Sequence, residues 1–329
     1  MEYITHKAFE IPVSRLFFGI LTICPLQANL SIDDGADVMV NAFESGVNVI
    51  DTAKSYRAYP YIRRVLEILD GKRNEIVLIS KSKAGNKLEL HNDINQALQE
   101  LNTDYLDVFM LHHITDKQTL VDHEEVIQEL HRLKETGVIR AIGVSTHNTN
   151  GVLGACEYGG FDIVQPVYNK FGIGINGNFD NLIENLAHMD KAISAANDAG
   201  MFVLGVKALG GGSLFDEAET ALSFVLDNPK IHGITVGMKT VREVYDNVHF
   251  FTNRTFPSDY DSKKEERQLL IKEWCTTGGL CRKGCGTCFA KCTSGALRME
   301  NNIPKISLEH CVLCGQCIVA CKDFMVRIV

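Results

Sequence analysis

Short runs of β-branched and aliphatic residues recur along the first 260 positions, separated by stretches in which apolar residues repeat at helical spacing. The runs are Leu16 to Ile20, Val47 to Ile50, Ile76 to Ser80, Leu106 to Leu111, Ile139 to Val144, Ile163 to Pro166, Phe202 to Val206 and Ile231 to Val236. Each has the length of a buried strand and is too short for a helix. Between them, His123 to Thr136 and Glu184 to Ala199 read as amphipathic helices. Gly46, Gly137 and Gly200 each stand just before a strand, where a helix commonly ends on a left-handed residue. Eight strands alternating with helices predict an α/β fold, a closed (β/α)8 TIM barrel, with a doubly wound open sheet as the alternative. No Gly-x-Gly-x-x-Gly follows an early strand. Gly210-Gly211-Gly212 follows the seventh strand instead, which argues against a Rossmann domain.

Composition supports a conventional globular chain. With 329 residues, 45% apolar and 22% charged, the chain can bury a full core. No apolar run approaches the ~20 residues that cross a bilayer, and the opening Met-Glu-Tyr-Ile-Thr-His-Lys has no apolar leader. The expectation is a soluble, cytoplasmic protein with no membrane and no nucleic-acid partner. The net charge of -8 is unevenly spread: Lys263 to Val329 carries 11 basic and 6 acidic residues, a balance of +5, against -13 in the first 262.

That basic tail also holds nine of the cysteines, eight of them in two runs: Cys281, Cys285, Cys288, Cys292, and Cys311, Cys314, Cys317, Cys321. The second run is Cys-x2-Cys-x2-Cys-x3-Cys, the spacing in which three thiolates of one tight loop meet different corners of a cubane and the fourth reaches a neighbouring cluster. Gly315, Gly284 and Gly286 lie among the ligands, where amides need freedom to turn toward sulfur. In the first run three residues separate Cys281 from Cys285, which leaves Cys275 as a rival first ligand. Disulfides, zinc and unliganded thiols are the competing readings. Disulfides expect a secreted chain, and zinc ribbons use paired Cys-x2-Cys knuckles. Cys24 and Cys156, far from both runs, read as ordinary core or surface thiols.

From about Leu280 to Val329 the chain resembles bacterial ferredoxins with two clusters. The resemblance implies that Cys281, Cys285, Cys288 and Cys321 hold one [4Fe-4S] cluster, and Cys311, Cys314, Cys317 and Cys292 the other. Thr293 and Lys322 stand where that family has proline after the fourth cysteine. Each oxidised cubane adds about two negative charges, so Arg282, Lys283, Lys291 and Lys322 balance the clusters, face the acidic barrel, or steer an acidic carrier.

In a barrel, residues just after the strands gather at one rim. Asp51, Tyr56, Lys81 and His112 follow three consecutive strands. A phenol titrates near 10 when unperturbed, and a neighbouring ammonium brings it closer to use as a proton donor. Lys81 can act on Tyr56 in this way, Asp51 can pair with Lys81, and His112 can hold a substrate carbonyl. Singly, these residues also read as a cap, rim packing, a solvated strand end and a satisfied histidine.

Over about residues 11 to 252 the chain resembles the aldo-keto reductase family. The resemblance rests on Gly46-Val-Asn-Val-Ile-Asp-Thr-Ala-Lys-Ser-Tyr56, Leu101-Asn-Thr-Asp-Tyr-Leu-Asp-Val-Phe-Met-Leu-His112 and Gly137-Val-Ile-Arg-Ala-Ile-Gly-Val-Ser145. It implies the tetrad Asp51, Tyr56, Lys81 and His112, with NADPH or NADH as hydride donor to a small-molecule carbonyl substrate. Lys81 rather than Lys83 is preferred because it directly follows the strand. The implied cofactor positions are Ser145 and Gln165 at the carboxamide end, Lys207 with Leu209, Gly211 and Ser213 at the pyrophosphate, and Lys239, Arg242 and Asn247 at the adenosine end. After Tyr56 the chain departs from the family, reading Arg-Ala-Tyr-Pro-Tyr, so Arg57, Tyr59 and Tyr61 either shape an unusual pocket or pack the loop.

The sequence thus predicts an oxidoreductase with a barrel at residues 1–262 and a small ferredoxin-like domain at 263–329, its clusters serving electron transfer or structure. A hydride donor gives electrons in pairs and a cluster passes one, so a flavin, with a ferredoxin or flavodoxin as carrier, is the alternative enzyme. A nicotinamide-sensing subunit without turnover is the alternative from another class.

Overall fold

In the computed structural model the described residues are 1–177, 181–261, 269–271, 285–292, 294–311, 316–321 and 326–328. Eight parallel strands close into a barrel: β1 (Leu16–Gly19), β2 (Val49–Asp51), β3 (Val77–Ser82), β4 (Leu106–His112), β5 (Ile139–Thr146), β6 (Ile163–Pro166), β7 (Phe202–Val206) and β8 (Gly233–Gly237), with β8 pairing back onto β1. The predicted runs all become strands, with ends shifted by up to two residues. Lys81 therefore lies inside β3 rather than just beyond it.

Helices α1 (Ile32–Glu44), α2 (Tyr59–Ile68), α3 (Lys87–Leu101), α4 (Lys117–Asp122), α5 (Glu124–Glu135), α6 (Thr149–Tyr158), α7 (Leu182–Asp198), α8 (Ala218–Leu226) and α9 (Val241–Asn253) lie between and after the strands. Side chains cap four of the helix starts: Ser31, Asn86, Asp116 and Thr240 each take an N–H of the first turn. Gly46, Gly137 and Gly200 have φ of 94°, 76° and 74°, as helix-ending residues before a strand require.

Strand alternation divides the core in two. Phe17, Val49, Val77, Ile79, Val108, Met110, Ala141, Ile163, Phe202 and Leu204 fill the barrel, while Phe18, Ile50, Leu78, Phe109, Ile142 and Val164 face the helices. An antiparallel pair, Tyr3–Ile4 with Val13–Ser14, brings Ile4, Phe9 and Ile11 against the inner cluster and closes the barrel's N-terminal end. Counting on in twos along the inner face, Val49 leads to Asp51, Ile79 to Lys81, Met110 to His112, Ile163 to Gln165 and Gly233 to Thr235. Polar side chains thus replace apolar ones where the strands end, at the open C-terminal mouth.

Beyond the barrel, β9 (Leu269–Ile271), α10 (Thr287–Ala290), β10 (Leu297–Glu300), β11 (Ile303–Ile306), α11 (Gln316–Ala320) and β12 (Val326–Ile328) follow in order. β9 pairs antiparallel with β12, and β10 with β11. Cys288, Leu297, Cys317, Ile318 and Val326 form its core, with Cys292, Cys311, Cys321 and Phe215 of the barrel packed against it. Cys281, Cys314, Cys275, Thr293, Lys322 and the flanking Arg282, Lys283, Gly284 and Gly315 fall outside the described residues. Among the described residues no helix is long and apolar enough to cross a membrane.

Candidate active site

Asp51 is the centre of the mouth. It is buried, and the Lys81 ammonium, itself 2% exposed, donates to its Oδ1 and to the Thr52 carbonyl at 2.7 Å. The other carboxylate oxygen accepts from Gln165 Nε2 at 2.7 Å and from Thr235 Oγ1 at 3.0 Å. A buried ion pair held by further hydrogen bonds meets the conditions under which such a pair is tolerated. Four strands, β2, β3, β6 and β8, are tied together at this one carboxylate.

Tyr56 ends a short 3-10 turn, Lys54–Tyr56, that leaves β2. Its ring lies 5.8 Å from the Lys81 ammonium and 6.2 Å, edge to face, from the His112 ring. The predicted catalytic four are therefore brought together, Lys81 and Asp51 in direct contact and the Tyr56 ring near both Lys81 and His112. Desolvation comes first in depressing the His112 pKa; His113 and the Lys81, Lys83 and Lys207 cations add to it. The ring is held well below the usual histidine range and is neutral at pH 7, offering one N–H donor.

Three non-glycine residues at the mouth adopt left-handed backbone: Arg57 at φ 58°, His113 at 71° and Lys207 at 62°. Such conformations cost about 1–3 kcal/mol each and persist only where neighbours fix them. His113 N donates to Ser145 O at 2.8 Å, and Lys207 Nζ bonds His147 Nε2 at 2.7 Å. Lys83 is exposed, unlike Lys81.

From the Asp51 and Tyr56 end a groove runs past Lys207, Leu209, Gly211 and Gly212 to Lys239, Arg242 and Asn247, with Thr22, Phe215 and Gly237 lining both halves. The glycines are a spatial necessity: a Cβ on Gly237 would lie 2.4 Å from Thr22 Cγ2, and one on Gly210, 2.7 Å from Ser213 Oγ. A glycine-lined cradle of this kind lets a phosphate approach the backbone amides without side chains between. Among the predicted cofactor positions, Ser145 pairs with His112 on one side and Gln165 on the other across β4, β5 and β6. Gln165 spends its amide on Asp51. Ser213 bonds back to the Gly210 carbonyl at 2.9 Å, Lys239 N donates to Glu243, and Asn247 Nδ2 to the Glu243 carbonyl at 2.7 Å. Arg242 is clamped by Asp246 and, twofold, by Asp259, so its guanidinium meets carboxylates of its own chain.

Arg57 lines an open cleft on the other side of Lys81 and His112 with Lys54, Ser55 and Lys83. Tyr59 and Tyr61 do not line the mouth. Tyr59 is buried against Ser80 Oγ at 2.7 Å and Tyr61 bonds the Leu30 carbonyl, so loop packing accounts for both. Sequence reading passed over Thr235, whose role beside Asp51 carries no local signal because threonine is also an ordinary strand former. His113 and His147 were legible only as neighbours of His112 and Ser145.

In the small module, Leu297 N–H points at Cys292 Sγ at 3.3 Å and Gly286, φ 66°, opens the turn before Cys288. Cys288, Cys292, Cys311, Cys317 and Cys321 share one packed core, and soft sulfur donors of this kind with an amide N–H on Cys292 fit iron-sulfur ligation better than a hard cation. Among the described residues no three His, Cys, Asp or Glu side chains converge as a metal-ion site. Cys285 is exposed, while Cys288 and Cys317 are buried.

A mouth of this kind on a (β/α)8 barrel defines a class of barrel enzymes, and the chain is a member of one such class. The sequence profile of the Aldo/keto reductase family matches residues 15–220, and the chain belongs to that family. It is similar to the aldo-keto reductase YhdN of Bacillus subtilis, 27% identical over 185 residues, covering 52% of this chain and 55% of the relative. It is likewise similar to the NADH-specific methylglyoxal reductase of Escherichia coli, 26% identical over 195 residues, covering 51% and 59%. The chain thus spans little more than half the length of these curated relatives. In fold it is similar to the solved aldo-keto reductase AKR11C1 of Bacillus halodurans, with a TM-score of 0.64 at 19% identity, covering 78% of this chain and 93% of that one.

Proposed function

We propose that the barrel reduces a carbonyl group on a small molecule with NADPH or NADH. The observation that carries this reading is the joined set at the mouth, Lys81 bonded to Asp51 with Tyr56 near both Lys81 and a neutral His112, at one end of a glycine-lined groove. A reduced nicotinamide, when bound, supplies the hydride. Tyr56 delivers the proton to the carbonyl oxygen, the Lys81–Asp51 pair supports the phenolate that remains, and His112 orients the carbonyl by donating its N–H. Lys207, Leu209 and Gly211 are proposed to border the pyrophosphate, with Ser145 near the carboxamide and Lys239 and Asn247 near the adenosine. One relative is named for methylglyoxal, which makes 2-oxoaldehydes the first substrates to try. Tyr56→Phe is expected to lower kcat by about 10²- to 10⁴-fold while leaving nucleotide affinity within about twofold. Wild-type turnover in that variant would remove Tyr56 from the role.

For the C-terminal residues 263–329 the proposal is two [4Fe-4S] clusters on the ligand sets implied by the ferredoxin resemblance. The placing of Cys288, Cys292, Cys311, Cys317 and Cys321 around one core supports it. Thiolate-held clusters suit a reducing cytoplasm. A flavin in the groove, with ferredoxin or flavodoxin as carrier, is the second reading. It is favoured by Phe215, which touches both groove and module; flavin retained after purification supports it, and failure to reconstitute flavin counts against it.

A further inference from the structure

We infer that Phe215 couples the groove to the cysteine-bearing module, so that a nucleotide seated along the glycine loop tightens the module and the module tightens nucleotide binding; this rests on reading the groove as a nucleotide site. Phe215 stands just beyond Gly210, Gly211 and Gly212. On one side it lines both halves of the groove, between the Asp51–Tyr56 end and the Lys239–Asn247 end. On the other it packs on the core formed by Cys288, Leu297, Cys317, Ile318 and Val326. β12 also lies alongside the glycine loop itself.

The loop has little of its own to fix it. Gly210, Gly211 and Gly212 have φ of 57°, 71° and 98°, and three successive glycines lose more backbone freedom on ordering than any other residues would. Its bonds, Gly210 N to Lys207 O at 2.8 Å, Gly212 N to Leu209 O at 2.9 Å and Ser213 Oγ to Gly210 O at 2.9 Å, stay within residues 207–214 and leave its position to what packs on its two faces. A ligand on one face and the module on the other order the same three residues. Whichever binds first bears that entropy, and the second binds more tightly, with equal factors in both directions.

The test is amide hydrogen exchange on the full chain, purified without oxygen, with and without saturating NADPH, alongside NADPH affinity by nicotinamide fluorescence. In the wild type NADPH should slow exchange across β10 and β11 by about fivefold, the lower range of typical coupling. Phe215→Ala should abolish that slowing and weaken NADPH binding by a similar factor, and Phe215→Leu should retain part of both. Unchanged exchange in β3 to β5 serves as the control that the variant is folded. NADPH binding with no change in module exchange, or weaker binding in Phe215→Ala with the slowing intact, overturns the coupling and leaves carbonyl reduction standing. Binding of neither NADPH nor NADH by the wild type overturns both.

Discussion

Asp51 has acceptors enough for its three partners only while it is a carboxylate. Lys81 takes one oxygen, Gln165 and Thr235 the other, and all are donors toward it. Asp51→Asn would turn one oxygen into an NH2 facing a donor and strip the buried ammonium of its counter-charge. The expected loss is about 3–5 kcal/mol of unfolding free energy, read by urea denaturation. Gln165, 1% exposed, shows why the cofactor positions were harder to assign than the tetrad: a buried amide satisfied by its own chain gives the same sequence signal as one turned to a ligand. For His112 the sign of the pH dependence follows from its depressed pKa. Between the ordinary histidine value near 6.5 and the lower folded one, the unfolded chain binds a proton that the native ring refuses, so the native state loses stability as pH falls through that window. The ring's charge state does not change above that window. Turnover should therefore show no acidic limb near pH 6.5, and a histidine-like limb there in a rate profile would contradict the neutral ring.

At the scale of elements, close approach rather than hydrophobicity sets the tightest constraints. α6 crosses the start of α4 at Gly154, where an added Cβ would sit 2.5 Å from Lys117 N and 2.8 Å from Lys117 Cα. Backbone cannot swing aside as a side-chain tip can. Gly154→Ala should cost about 1–3 kcal/mol in urea denaturation while sparing the mouth, since α6 would shift against α4 and not against β3. This contact was invisible in the sequence, where Gly154 lies in an apolar helical stretch and reads as a mild helix weakener. The strands were legible because runs such as Phe202–Val206 are apolar on both faces, one toward the barrel core and one toward the helices, and the glycines before them mark the helix ends. The pair Tyr3–Ile4 and Val13–Ser14 was not, because two-residue strands have no period to read. Tyr59 and Tyr61, for which the sequence left pocket wall and loop packing both open, belong here too. An aromatic cluster after a candidate proton donor suggests a pocket wall, yet α2 begins at Tyr59 and turns both rings away from the mouth, to Ser80 and the Leu30 carbonyl.

On the scale of the whole molecule, an acidic stretch of -13 precedes a cysteine-rich tail of +5, and among the described residues the two meet at Phe215 and along the glycine loop. Two thiolate-bound cubanes would bring about four negative charges, close to the tail's excess. Two zinc ions on four thiolates each would bring the same charge, so inorganic sulfide is what distinguishes clusters from the rival readings. Protein purified without oxygen should contain about eight iron and eight sulfide per chain, with the broad visible absorbance of cubanes. The ligand assignment can be separated from the cluster count by single substitutions. Cys288 and Cys317 lie in the same small core, 5% and 6% exposed, but are assigned to different clusters. Cys288→Ser and Cys317→Ser should each bring iron to about four per chain, and the double variant to about zero. If either single change removed all the iron, the clusters would not be independent, and zinc in place of iron and sulfide would remove them altogether. Adding NADPH to the intact protein then joins the two halves. A hydride site that works alone leaves the visible band unchanged while carbonyl substrate is consumed. Bleaching by NADPH means that electron pairs leaving the groove are split before they reach iron, which requires a flavin-like converter between Tyr56 and the module.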